Sequence, residues 1–242
     1  MGAQWKHSGR MAANQKKGAI ISKLVKEIMV AAKMGGADPT ANFRLRTALE
    51  DARRNSVTRD AIDRAVKKGS GTGDDSIEFE TVTYEGFAPH QVPVIVECLT
   101  DNKNRTVSDI RVLFRKGSIG AAGSVTWMFD RKGIIEANHP NAATDLETAA
   151  IEAGADDVQK TEPGGDQANT GITAQFLCDP TTLTEVAEVL GKMGWVSSSA
   201  VIGFVAKNPA ELSEAALKEV IDFLADLDDH DDVHRIYTAL KN

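Results

Sequence analysis

The hydrophobic period of this 242-residue chain changes at one place, a run of small and polar residues, Gly69-Ser70-Gly71-Thr72-Gly73-Asp74-Asp75-Ser76. Ahead of that run, apolar residues recur at the i, i+3, i+4 spacing of amphipathic helices; beyond it they form short runs of strand length alternating with helical stretches. The run itself has the composition of a flexible linker. Its spaced glycines follow a helix and precede a strand, so they are not a dinucleotide-binding turn, which needs the opposite order. The chain is therefore predicted to be α+β, with a helical module in front and sheets behind.

In front, Ile20, Ile21, Leu24, Val25, Ile28, Met29 and Ala32 define a helix over about Ala19 to Met34, preceded by a polar arm at residues 1–17. Lys16, Lys23, Lys26 and Lys33 gather on its opposite face at about 100° per residue. Gly35-Gly36 and Asp38-Pro39 stop it. A second helix begins near Asn42, burying Leu45, Ala48, Leu49 and Ala52 and exposing Arg44, Arg46, Arg53 and Arg54. A third starts at Thr58 as N-cap, with Val57 placed to staple onto Ile62, and is expected to end at Gly69 as a left-handed cap after Lys67 and Lys68. Three helices of this length suggest a small bundle.

Behind the linker, strands are predicted over Phe79–Phe87 and Val92–Leu99, a helix over Thr106–Lys116, a glycine-rich loop over Gly117–Ser124 and a strand over Val125–Phe129. The loop lacks the Lys-Ser/Thr pair of a P-loop, and Gly117-x-x-Gly120 joins a helix to a strand rather than two helices, so a tight connection is the favoured reading. Contact of its backbone N–H groups with a phosphate stays open. Residues 131–206 then alternate as β-α-β-β-α-β, the order of a ferredoxin-like unit. A final helix, Ser213–Leu227, and strand, Val233–Tyr237, have no partner of their own and are expected to pack on an earlier sheet.

The formal net charge of −7 argues against nucleic acid only as an average. Residues 1–68 carry 15 Lys and Arg against 6 Asp and Glu, whereas the remaining 174 residues carry 13 against 29. A basic front attached to an acidic remainder marks a polyanion-binding module at the front. A lysine stripe alone is more often a solvated face, but a charge excess over three successive helices favours a polyanion that relieves the self-repulsion.

Chemistry does not assemble. Cys98 and Cys178 lie in separate apolar runs and read as reduced core residues, with neither a disulfide nor a paired-Cys metal site. His230 and His234 are four apart but leave an aspartate cluster, Asp226, Asp228, Asp229, Asp231 and Asp232, to enter a strand; a solvated acidic turn is expected, not a metal site. There is no nucleophile elbow. No signal core and no apolar run of membrane length occurs, so a cytosolic protein that is not an enzyme, with no catalytic or metal residues and no cofactor, is expected.

Several stretches together resemble one family. They are Lys23-Leu24-Val25-Lys26-Glu27-Ile28, Asp38-Pro39 through Arg44-Leu45-Arg46, Ala65-Val66-Lys67-Lys68-Gly69, Tyr84-Glu85-Gly86-Phe87, Val96 through Thr106, and Gly120-Ala121-Ala122-Gly123-Ser124-Val125. The chain resembles, over essentially its whole length, the YebC family of bacterial regulators, which is related to a mitochondrial translational activator of cytochrome oxidase subunit I. The resemblance implies an N-terminal three-helix bundle followed by two α+β (ferredoxin-like) domains, with the C-terminal helix and strand returning to the middle domain. The domains expected are 1–75, then 76–131 with 207–242, and 132–206. It also implies no catalysis. Members are described as DNA-binding transcriptional regulators, others as ribosome-associated translation factors. Where the family has a Gly-Pro-Gly-Gly turn, this chain has Ala88-Pro89-His90-Gln91, and its glycine loop is shortened ahead of Ile119.

The expectation is thus a nucleic-acid-binding regulator of gene expression, contacting DNA or, alternatively, ribosomal RNA or tRNA on the ribosome, with no membrane and no small-molecule substrate. A protein-interaction scaffold is the further alternative. The candidate contacts are Lys6, Arg10, Lys16, Lys17, Lys23, Lys26, Lys33, Arg44, Arg46, Arg53 and Arg54. Asn102, Asn104 and Arg105 are a second candidate set, with helix capping by Asn104 or Thr106 as the competing role.

Overall fold

A computed structural model describes residues 4–71, 79–161 and 171–241, with side chains from Gly18 onward. The first compact unit comprises Met1–Met128 and Ala206–Asn242, and the second Phe129–Val205.

Three helices open the first unit: α1 (Gln4–Gly35), α2 (Phe43–Arg54) and α3 (Arg59–Gly69). α1 takes in most of the stretch read as a polar arm, and Gly36 ends it at φ +85°. Asn42 caps α2 by accepting from Leu45 N, while its amide donates to Ala31 O and Gly36 O, tying the α1–α2 turn together. Thr58 caps α3 as expected. The bundle buries Ile28, Ala31 and Ala32 of α1 against Leu45, Ala48, Leu49 and Ala52 of α2, with Val57 and, from α3, Ile62 and Ala65.

Gly69 is not the left-handed cap. It belongs to the helix, and the positive φ falls on Gly71, at +74°. Its role is close approach, because a Cβ there would lie 2.2 Å from Met29 O and 2.8 Å from Met29 Cα of α1. The rest of the expected linker lies outside the described residues.

The same unit holds a four-stranded sheet of order β3-β1-β2-β8. Its strands are β1 (Glu80–Ala88), β2 (Val92–Thr100), β3 (Ser118–Ile119) and β8 (Val233–Thr238). α4 (Lys103–Leu113) and α7 (Glu214–Asp228) cover one face: Val94, Val96 and Cys98 of β2 pack with Ile110, Phe114, Val220, Phe223 and Leu227. The tail thus returns to the middle sheet, β8 pairing antiparallel with β2. That pairing carries a bulge. Glu97 faces Arg235 and Cys98 faces Val233, so His234 is the extra residue.

Two local expectations are corrected. α4 starts a turn before Thr106, because Asn102 is the N-cap, accepting from Arg105 N at 3.1 Å. Residues 126–128 form a 3-10 turn rather than a strand, and the next strand begins at Phe129. At the Ala88–Gln91 turn, His90 and Gln91 both sit at φ 60°, a region that suits glycine.

The second unit runs β4 (Phe129–His139), α5 (Leu146–Ala153), β5 (Asp157–Thr161), β6 (Ile172–Cys178), α6 (Leu183–Lys192) and β7 (Val196–Ala206). Its sheet order β5-β6-β4-β7, with β6 antiparallel to both β4 and β5, is the ferredoxin-like arrangement read from the sequence. Phe176 packs edge-on against Trp195 at 4.9 Å in its core. Among the described residues, no helix is long and apolar enough to cross a membrane.

Two glycines in helices test the packing argument with opposite signs. Gly18→Ala, with open space around it, should stabilise by about 0.5–1 kcal/mol through helix propensity. Gly69→Ala should destabilise by about 1–3 kcal/mol by overpacking α1 against α3. Thermal unfolding of the two variants beside the parent measures both.

Candidate nucleic-acid interface

The basic face of α1 meets a partner within the same compact unit. Lys23 Nζ bonds the Asp228 carboxylate at 2.9 Å and the Asp228 carbonyl. Lys26 Nζ bonds Asp232 Oδ1 and Asp231 O, each at 2.9 Å, and lies 5.8 Å from the Phe79 ring centre. The aspartate turn between α7 and β8 is therefore not simply solvated. Asp232 is 3% exposed, and its other oxygen accepts from Thr106 Oγ1 at 2.9 Å and Arg105 at 3.2 Å. Burial alone would raise the Asp232 carboxyl; the bonds from Lys26, Thr106 and Arg105 outweigh it and hold it below the usual range.

Glu27, the only acidic residue in α1, makes a second knot one residue on. Its carboxylate accepts from Arg44 Nε at 2.7 Å and Arg44 Nη2 at 3.0 Å, a bidentate pair from α2. His234 Nε2 lies 2.8 Å away and Arg235 Nη2 3.5 Å away, both on β8. Successive strand residues ordinarily point to opposite faces; the bulge at His234 turns both toward one carboxylate. Burial pushes the Glu27 carboxyl up, but the close His234 ring, the hydrogen bonds from Arg44 and the nearby charge of Arg235 prevail and hold it far below the usual range.

The candidate residues thus divide. Lys23, Lys26 and Arg44 are brought together at the junction of bundle and sheet. Arg105 joins them, bonded also to Asp101 at 2.9 Å, while Asn102 is occupied as a cap and Asn104 is exposed on the first turn of α4. Arg54 approaches Glu50 and Asp51 on its own helix. Lys33 and Arg53 are exposed, and the Arg46 guanidinium lies over the Phe43 ring at 4.8 Å. The side chains of Lys6, Arg10, Lys16 and Lys17 lie outside the described residues. A cleft of about 580 Å³ opens beside Lys26 and Arg105, and five aspartates, Asp101, Asp109, Asp229, Asp231 and Asp232, line it. As it stands, its carboxylates disfavour a phosphate.

Glu27, Asp228, Asp232, His234 and Arg235 were not singled out as partners by sequence reasoning. The signal was a lone acid on a lysine-rich helix face together with an aspartate cluster whose counter-charges lay some 200 residues away.

The glycine loop is also answered internally. The buried Glu85 carboxylate accepts from Gly123 N at 2.7 Å and from Val125 N and Thr126 N at 2.9 Å each. Burial would raise it, and these backbone bonds lower it below the usual range. Within the loop itself, the Gly123 N–H donates to this carboxylate and the Gly120 N–H to the Glu85 carbonyl at 2.8 Å, so both face an internal acceptor. Cys98 is buried and its thiol is pushed up to about 12 by desolvation, which leaves no thiolate for nucleophilic work. Among the described residues no group of three or more His, Cys, Asp or Glu side chains is placed to hold a metal ion.

Residues 3–72 match the TACO1/YebC protein N-terminal domain, and residues 79–240 match the TACO1/YebC second and third domain. The chain belongs to the TACO1/YebC family. Among its relatives, a protein of Polaromonas sp. called a probable transcriptional regulatory protein is 50% identical over 243 residues, with 99% of each chain covered. A probable transcriptional regulatory protein of Bdellovibrio bacteriovorus is 44% identical, covering 99% of this chain and 100% of its own. The crystal structure of a conserved hypothetical protein from Aquifex aeolicus is similar at a TM-score of 0.80 and 38% identity, covering 93% of this chain and 90% of that one. For this TACO1/YebC member, the family resemblance read from the sequence is therefore established at the level of family and fold.

The two depressed carboxylates give a signed pH dependence. Glu27 and Asp232 bind protons more readily unfolded than folded, so their contribution is present above the ordinary carboxylate range and is lost as pH falls below about 4–5. Glu27→Gln should cost about 3 kcal/mol at neutral pH, since Arg44 and Arg235 lose their counter-charge. It should also flatten the acid limb of stability. Urea titrations of parent and variant from neutral to acid pH measure both effects.

Proposed function

We propose that this chain is a non-enzymatic regulator of gene expression that grips nucleic acid through its N-terminal helices. The observation that supports it is a residue of positive charge. After Lys23, Lys26 and Arg44 are paired internally, Lys33, Arg46 and Arg53 still have no carboxylate partner among the described residues. Arg46 and Arg53 are seven apart on α2 and so share one face. Arg53 is exposed and Arg46 half-buried over the Phe43 ring, and arginines sharing one face suit phosphate oxygens, which fix orientation without reading sequence.

Duplex DNA is the favoured target, because the relatives are named as probable transcriptional regulatory proteins. Contact with ribosomal RNA or tRNA would use the same cations, and a protein-interaction scaffold would not need them.

With about six phosphates engaged, counting the basic side chains near the start of α1, log K should fall by about 5 per log unit of salt. Arg46→Glu with Arg53→Glu should weaken binding and reduce that slope by about 1.8, at 0.9 per phosphate. Fluorescence anisotropy with a labelled duplex across a salt series measures both; a slope near zero would sink the electrostatic reading. Crosslinking in cells followed by sequencing of the attached nucleic acid separates the targets: promoter fragments support transcription, and ribosomal RNA would move the site to translation.

A further inference from the structure

We propose that the acidic turn at Asp228–Asp232 is a tethered anion that holds Lys23 and Lys26 in the place of phosphate, and that bound nucleic acid displaces it from them. This rests on the nucleic-acid reading above and specifies its regulation.

Each contact in the turn is of the kind that phosphate would make. Lys23 meets a carboxylate oxygen and a carbonyl of Asp228, and Lys26 meets a carboxylate oxygen of Asp232 and the carbonyl of Asp231. The two contacts differ in a way that permits exchange. The side chain of Asp228 is 68% exposed, so it can return to water at little cost when Lys23 turns to another anion. Asp232 is buried, but it keeps Arg105 and Thr106 as donors when Lys26 leaves. Neither lysine is needed to keep α1 on the sheet, because the Glu27 knot with Arg44, His234 and Arg235 is separate from both. The latch can therefore open while the fold stays closed.

The turn also screens. Asp229 and Asp231 are exposed beside the pairs, so the closed face presents negative charge to an approaching phosphate backbone. Binding would begin at the unpaired cations, Lys33, Arg46 and Arg53, and recruit Lys23 and Lys26 only as local phosphate outcompetes the tethered carboxylates. Weak contacts with stray polyanion would leave the latch shut.

Asp228→Asn tests this without touching the core. Anisotropy of a labelled duplex over a potassium chloride series is measured for the parent, Asp228→Asn, Asp231→Asn, and Asp228→Asn combined with Lys23→Gln. Releasing Lys23 should tighten binding about twofold to fivefold at 0.1 M salt, the saved cost of breaking one exposed ion pair, with the slope unchanged because bound nucleic acid engages Lys23 in both proteins. Lys23→Gln should abolish that gain. Asp231→Asn, whose carboxylate holds no lysine, should leave the affinity close to that of the parent. The latch is overturned if Asp228→Asn matches a parent that binds steeply, or if its gain survives Lys23→Gln. If neither parent nor Asp228→Asn binds duplex in a salt-dependent way, the nucleic-acid reading itself fails and the latch falls with it.

Discussion

The carboxylate of Glu27 is the interaction on which the first compact unit depends. It sits on a helix whose other charges are positive, and it gathers a bidentate arginine from α2 and two basic residues from β8. Bundle and sheet would otherwise be two small modules, each with a modest core. Removing a charge from water is costly unless geometry and partners compensate, and here three basic groups surround one acid. The cost therefore enforces registry. Sliding or rotating α1 against the sheet would strand the carboxylate, so the knot selects one packing of the helices on β8. The bulge at His234 belongs to the same device, since without it only one of His234 and Arg235 could face the acid.

The opposition between a basic front and an acidic remainder changes meaning in this light. Part of it is an internal electrostatic match: Lys23 and Lys26 find Asp228 and Asp232, and Arg44 finds Glu27. Glu85 repeats the pattern on a smaller scale, its carboxylate accepting from backbone N–H groups at the end of the glycine loop and just beyond it. In each case a feature that reads as a binding site for an external anion is already satisfied by an internal one. Charge pattern in a sequence reports how many partners are needed, not where they come from.

Most of the fold was legible. The change of period at the linker, the cap at Thr58, the helix starts near Asn42 and Ser213, and the β-α-β-β-α-β order over residues 131–206 are local signals, and local signals survive without a tertiary context. The misreadings share one cause. Gly69 carries the sequence mark of a cap but is required by the approach of α1, a residue 40 positions earlier in the chain. Asn102 took the capping role expected of Asn104 or Thr106 because Thr106 turns inward, its hydroxyl bonded to Thr100 and Asp232. The turn at His90 and Gln91 holds φ 60° without glycine, which no propensity scale would favour. These are outcomes of long-range packing, and nothing within a helical turn of each residue announces them.

The candidate site was legible as a class of residue and not as a surface. Periodicity finds the face of a helix that is not buried in its own bundle, but it cannot say whether a second element covers that face. On α1 it grouped Lys23 and Lys26 with Lys33, which are one stripe by angle and two environments in space: the first two are tied to the acidic turn, and Lys33 is exposed. On α2 it grouped Arg44 with Arg46 and Arg53, although Arg44 alone turns to Glu27. The internal pairing accounts for Lys23, Lys26 and Arg44 and leaves Lys33, Arg46 and Arg53 without a carboxylate partner among the described residues. Self-repulsion among the latter persists in the folded chain, and an external polyanion is the partner that would relieve it.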